Sequence, residues 1–172
     1  MTALSADRTP VNSLMRGTIY AEGKAAIVTS ATVHKGSILV RRITTGRVKA
    51  GGIVTATNWR MFAVCVGFFS TANGNNETAG VGDTSGTVFA KYVIPEQYLV
   101  DIATAIRTQA ALGTQVILQD DQGVGGTATG TNTGLNQIIA GNLWAFDENA
   151  ATAKTFGWLQ IGNTGMGAKI TI

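Results

Sequence analysis

The sequence is short of the residues on which most site chemistry depends. Its 172 residues include one cysteine, Cys65, and one histidine, His34. Neither a Cys/His zinc site nor an intrachain disulfide can be assembled from these, so metal and covalent staples are set aside as sources of stability. Charged residues make up 13% of the chain, about half the ~25% of ordinary soluble domains. No stretch reaches the roughly 18 apolar residues of a membrane helix, and Met1–Tyr20 lacks the apolar run of a signal peptide. A soluble protein made in the cytoplasm, without membrane contact, is expected. What is abundant is glycine, 22 residues, within a chain that is 45% hydrophobic. The glycines have no period of three, which excludes collagen, and the apolar content is ample for a core.

The few charges are unevenly placed. Through Arg60 there are nine basic residues against two acids, a net +7, whereas the remainder carries −4. Such polarity suits an acidic partner or head-to-tail contact between copies of one chain, although a solvated strand face gives the same pattern.

Residues 1–16 have no sustained apolar period and read as an extended, flexible N-terminal arm. Residues 17–172 read as a single β-rich domain. Strands are expected at 26–33, 37–43, 46–57, 59–70, 87–94, 114–119, 137–147, 155–161 and 168–172, rich in Val, Ile, Thr and aromatics and separated by Gly or Asn turns. Trp59–Ser70 is apolar at both parities, so it must be covered on both faces and is the expected central strand, with Cys65 as a small core residue and Gly67 as a bulge or a close backbone approach. From Pro95 to Gly113, Leu99, Ile102, Ala103, Ile106 and Ala110 recur at helical spacing between an N1 proline and a capping glycine, which predicts one packed amphipathic helix. The fold class expected is mainly β, an antiparallel barrel or sandwich carrying that helix and the N-terminal arm. Residues 71–86 and 120–134 are Gly-, Thr- and Asn-rich and are expected to be long loops.

Motifs for chemistry are weak. Gly123, Gly125, Gly126 and Gly130 lack dinucleotide spacing and a strand-loop-helix context, and GNTGMGAK at 162–169 is out of register with a phosphate loop. His34 reads as an exposed turn residue. Asp120 with Asp121, and Asp147 with Glu148, are adjacent residues that point to opposite faces of a strand and read as loop-edge charges. Asn76-Glu77-Thr78 forms a glycosylation sequon without a secretion signal. No catalytic, cofactor or metal site is assigned, and an enzyme is not expected. Arg41, Arg42, Arg47, Lys49 and Arg60, with Trp59 and Tyr20, offer the basic and aromatic mix of a single-strand nucleic-acid barrel, but a net charge of +3 is weak for tracking phosphates and nucleic acid is disfavoured.

Taken together, the arm, the segment AAIVTSATVHKGSILVRRI (25–43), GRVKAGGIVTATNWRMFAVCVGFF (46–69) and the closing GNLWAFDENAATAKTFGWLQIGN (141–163) resemble the decoration, or cement, proteins on the heads of tailed bacteriophages. The resemblance implies a small β-rich virion protein on the capsid surface, with the major capsid protein and its own copies, as a homotrimer, for partners. It implies reinforcement of the shell by many weak contacts. Arg8, Arg16, Arg41, Arg42, Arg47, Lys49 and Arg60 are the candidate contact residues, facing acidic capsid surface or the acidic half of a neighbouring subunit. The alternatives are another virion component (tail, neck or fibre) or a carbohydrate-binding module with Trp144 or Trp158 as its stacking platform.

Overall fold

The structure, a computed structural model, describes residues 4–8, 11–52, 58–126, 137–147, 155–161 and 169–170. Its strands are β1 (Met15–Ala26), β2 (Thr32–Val33), β3 (Ile38–Arg42), β4 (Val48–Ala50), β5 (Trp59–Ser70), β6 (Gly80–Val81), β7 (Val88–Ile102), β8 (Gln115–Leu118), β9 (Gly123–Gly126), β10 (Gln137–Phe146), β11 (Phe156–Gln160) and β12 (Lys169–Ile170). The fold is mainly β and barrel-like. β2 and β6 form a separate two-stranded ribbon, and the others are joined in one ten-stranded sheet.

The sheet is organised by β7, whose fifteen residues are long enough to serve two circuits of hydrogen bonds. The C-terminal part of β7 pairs antiparallel with β11 through residues 97–101 and parallel with β9 at Asp101 and Ile102. Since β11 pairs β10, β10 pairs β8 and β8 pairs β9, these five strands close a ring. The N-terminal part pairs with β1 on one side and β5 on the other. From β5 the ladder runs through β3 to β4, and a parallel bridge from Val48 to Ile27, just past the end of β1, closes a second circuit. The first ring is closed by ladders, whereas the second is joined at β1 only by that one bridge, which leaves the outer side of β1 unpaired before Ile27; β7 is the wall that the two barrel-like circuits share.

The apolar pattern explains this layout. β5, apolar at both parities, lies between β3 and β7 and buries Met61, Phe62, Ala63, Val64, Cys65 and Phe68, as a central strand must. Cys65 is a core residue, and burial pushes its thiol pKa up to about 12. The ladder between β5 and β7 is irregular between Cys65 and Gly67, the bulge expected at that glycine. At Gly82, a Cβ would collide with the backbone carbonyl of Val28, so only glycine allows these two loops to approach.

The helix expected over Pro95–Gly113 does not form. Residues 95–102 continue β7, and two single turns of 3-10 helix come after it, Thr104–Ile106 and Gln109–Ala111. Burial in the strand alternates with period two, Tyr98, Val100 and Ile102 being fully buried, and neighbouring strands on both sides saturate the backbone. Tertiary pairing overrides a weak helix propensity. Pro95, which reads as a helix start, is tolerated in the strand because β1 bulges on each side of the Ile19–Pro95 pair, where no ladder bond from Pro95 is required. Gly17, in the left-handed region at φ 75°, lies within the first of these irregularities.

The two expected loops are also more structured than their composition suggests. Within 71–86, Asp83 accepts hydrogen bonds from the Thr87 hydroxyl (2.6 Å) and the Thr87 amide (2.8 Å), which hold its carboxyl below the usual range. Within 120–134, the segment Gly123–Gly126 is strand β9, so that part of the glycine cluster is a barrel strand; Gly130 lies outside the described residues. So do most of residues 162–169, along with Glu148.

Candidate interaction surfaces

The seven basic residues expected to contact a partner fall in three places. Four gather where β3, β4 and β5 meet. The ladder sets Arg41 opposite Arg60, Arg42 opposite Trp59 and Lys49 opposite Val40. Like charges directly opposed across strands are destabilising, and here the cations find aromatic or carbonyl partners. The Arg41 guanidinium lies 4.7 Å from the Phe62 ring centre, Lys49 Nζ lies 4.6 Å from that of Trp59, and Arg60 Nη1 donates to the Trp59 carbonyl at 2.9 Å. Partial burial lowers the Lys49 ammonium below its ordinary range. Trp59 is itself buried beneath this layer, so it offers no face on which a nucleic-acid base could stack.

Arg47, near the turn between β3 and β4, donates to Thr29 Oγ1 (3.2 Å) and to the Thr84 carbonyl (3.4 Å), pinning two loops together. Arg8 and Arg16 lie elsewhere, against the barrel that contains β11. Arg16 stacks 3.7 Å from the Trp158 ring, and Arg8 reaches the Leu99 carbonyl while lying 5.8 Å from the Tyr98 ring. Trp158 is only 4% exposed under that guanidinium, which removes it as a carbohydrate platform. Trp144, on β10, is 55% exposed and keeps that capacity.

A buried polar knot has no signature in the sequence. Asp120 and Asp121, expected as loop-edge charges, are buried, Asp121 to 1% exposure. Asp121 accepts hydrogen bonds from the Ser37 hydroxyl (2.7 Å) and the Leu4 amide (2.8 Å), and its own carbonyl takes the Ile38 amide (2.6 Å). Burial pushes the Asp121 carboxyl up, as it does the half-buried Asp101. Nearby, Tyr98 donates its hydroxyl to the Gly36 carbonyl. Residues 4–8 of the expected arm thus lie against the body: Asp7 accepts from the Lys35 amide (2.8 Å), lies 3.8 Å from His34 Nδ1, and the Arg8 amide donates to the Lys35 carbonyl. His34 is half-buried in this knot rather than a free turn residue. Nothing local marks Asp121 for burial, because its partners are 84 and 117 positions away in the chain. Among the described residues, no three His, Cys, Asp or Glu side chains come together as metal ligands.

Among the described residues, the main exposed apolar feature is β1. Most of its twelve residues are exposed, with Ile19 at 45% and Tyr20 at 53%. Beside it a concavity of about 350 Å³ is lined by Glu22, Gly23, Lys24, Val66, Lys91, Tyr92 and Val93. Compared with known proteins, the chain matches no family model, no curated protein and no solved structure.

Proposed function

We propose that this chain is a structural protein of a tailed-phage virion, a decoration protein that binds the outer capsid lattice and stabilises the head. The observation that carries the reading is β1, a twelve-residue strand exposed along most of its length on a barrel-like framework. A rigid body with an exposed strand is suited to adding its backbone to a neighbour's sheet, and repetition over a lattice sums weak contacts by avidity. Arg41 and Arg60, which share one face of the β3–β5 ladder, are suited to acidic surface on the major capsid protein, and the polarity of the chain to contact among its own copies in a trimer. Purified protein added to expanded capsids that lack it is expected to bind at saturable copy number and to raise the temperature at which the shells release DNA. Absence of binding, with shells equally robust without the protein, would remove the proposal.

Trp144 alone supports a second reading, a carbohydrate-binding module. In that case glycans would change the tryptophan fluorescence and Trp144→Ala would abolish the change; a decoration protein is silent in the same titration.

A further inference from the structure

We infer that β1 is a self-recognition edge: a second copy of this chain pairs antiparallel with residues 21–25 about a two-fold axis through Gly23. The bond pattern of β1 fixes which groups are available. Ile27, which continues the β1 register, donates its amide to Val88 at the start of β7, whereas the Val28 amide turns the other way, to the Val48 carbonyl. Backbone direction alternates along a strand, so Ala21, Gly23 and Ala25 direct their groups to β7, and Glu22 and Lys24 direct theirs outward. Among the described residues, no other strand pairs with β1 along this stretch; the bridge from Val48 begins only at Ile27.

A two-fold axis through Gly23 makes two hydrogen-bonded pairs, Glu22 with Lys24 of the second copy and Lys24 with its Glu22. Gly23 then meets Gly23 in the closer, non-bonded position, where Cα atoms approach to about 4.5 Å. Ala21 and Ala25 face each other at the two ends of the paired stretch. The charges are complementary only in this arrangement. Within one copy, Lys24 stands directly opposite Lys91 across the ladder, and Glu22, Lys24 and Lys91 have no ion-pair partner among the described residues. Lys24 rests instead on the Phe69 ring, 3.6 Å from its centre. Glu22 of a second copy supplies the anion that this opposed pair of cations lacks. An edge lysine ordinarily repels added strands; here the residue that would face it carries the opposite sign. The bulges between Arg16 and Ala21 confine the pairing, because they bend the earlier part of β1 out of register.

The contact is isologous, so by itself it forms a dimer; it rests on the exposed strand that also carries the decoration reading, with a second copy as the neighbour that β1 joins, and it leaves any three-fold contact to other surfaces. It is tested without capsids, and its failure is therefore distinct from failure of the decoration reading. Sedimentation of the full chain across a concentration series is expected to show reversible dimerisation. Glu22→Lys sets lysine against lysine twice and is expected to weaken the dimer about 10-fold or more, with Lys24→Glu doing the same through opposed carboxylates. The double swap Glu22→Lys with Lys24→Glu restores complementarity and is expected to recover association to within a few-fold. In the wild-type protein, amide exchange at Glu22 and Lys24 should slow as concentration rises, while that at Ala21 and Gly23 stays slow throughout. A chain that remains monomeric at millimolar concentration, single variants that dimerise as well as wild type, or a double swap no better than the singles would each overturn the inference.

Discussion

Tyr98→Ala is expected to lower the free energy of unfolding by about 3–5 kcal/mol, the range for removing a large buried aromatic ring. Tyr98 has no exposed surface, and it pairs with Met15 of β1 on one side and Leu159 of β11 on the other. The ring therefore stands where the two barrels join, and the cavity left by its loss borders both. Tyr98→Phe separates packing from hydrogen bonding. It keeps the ring and leaves the buried Gly36 carbonyl without its donor, which costs about 1–3 kcal/mol. Burial raises the phenol to about 12, so the hydroxyl remains a donor throughout the neutral range and the Phe variant's deficit should not vary between about pH 6 and 9. Urea unfolding of the three proteins measures both effects. If Phe and Ala cost the same, the hydroxyl rather than the packing would dominate, against the expectation.

Asp121→Ala is expected to cost about 2–4 kcal/mol, since two donors, the fully buried Ser37 hydroxyl and the Leu4 amide, lose their acceptor together. Asp121→Asn retains an acceptor for one of them and is expected to cost much less. The pH dependence separates charge from hydrogen bonding. Burial raises the folded-state pKa of Asp121, so the stability associated with its protonation is fully present below the ordinary carboxylate pKa and is lost as pH rises through the raised value. The Asn side chain does not titrate and has no such loss. Relative to wild type, the Asn variant should therefore gain stability over the interval that begins at the ordinary carboxylate pKa and ends at the raised one. If it loses ground over that interval, the hydrogen bonds to the ionised carboxylate outweigh its burial, reversing the assignment.

These two residues also show how much of the molecule is legible in its sequence. β5 is legible because a run apolar at both parities can exist only with cover on both faces, and β10 and β11 are legible from β-branched and aromatic runs with turn residues between them. β7 reads as ending at Ile94 because Pro95 and the spacing of Leu99, Ile102 and Ile106 imitate a helix. The period-two burial of Tyr98, Val100 and Ile102 is present in the same letters, but choosing between the two requires knowing that strands lie on both sides. β9 is hidden for a different reason. GVGG has almost no side chains to carry a pattern. The basic residues are legible as a set, while their division among a sheet corner, a loop clasp and the stacked Arg8 and Arg16 depends on register. The burial of Asp121 depends on partners supplied by Ser37 and Leu4.

The sharing of β7 between two circuits has a kinetic consequence. Its first half can pair as soon as it is made, because β1 and β5 both precede it in the chain, but residues 97–101 must wait for Phe156–Gln160 of β11. A chain emerging from the ribosome can thus assemble one barrel while the other still presents an apolar strand with its backbone unsatisfied. Distant pairings of this kind fold slowly and leave strands open to the wrong partner. The second barrel is where misassembly should begin, and chaperone demand should persist until the last seam has been zipped.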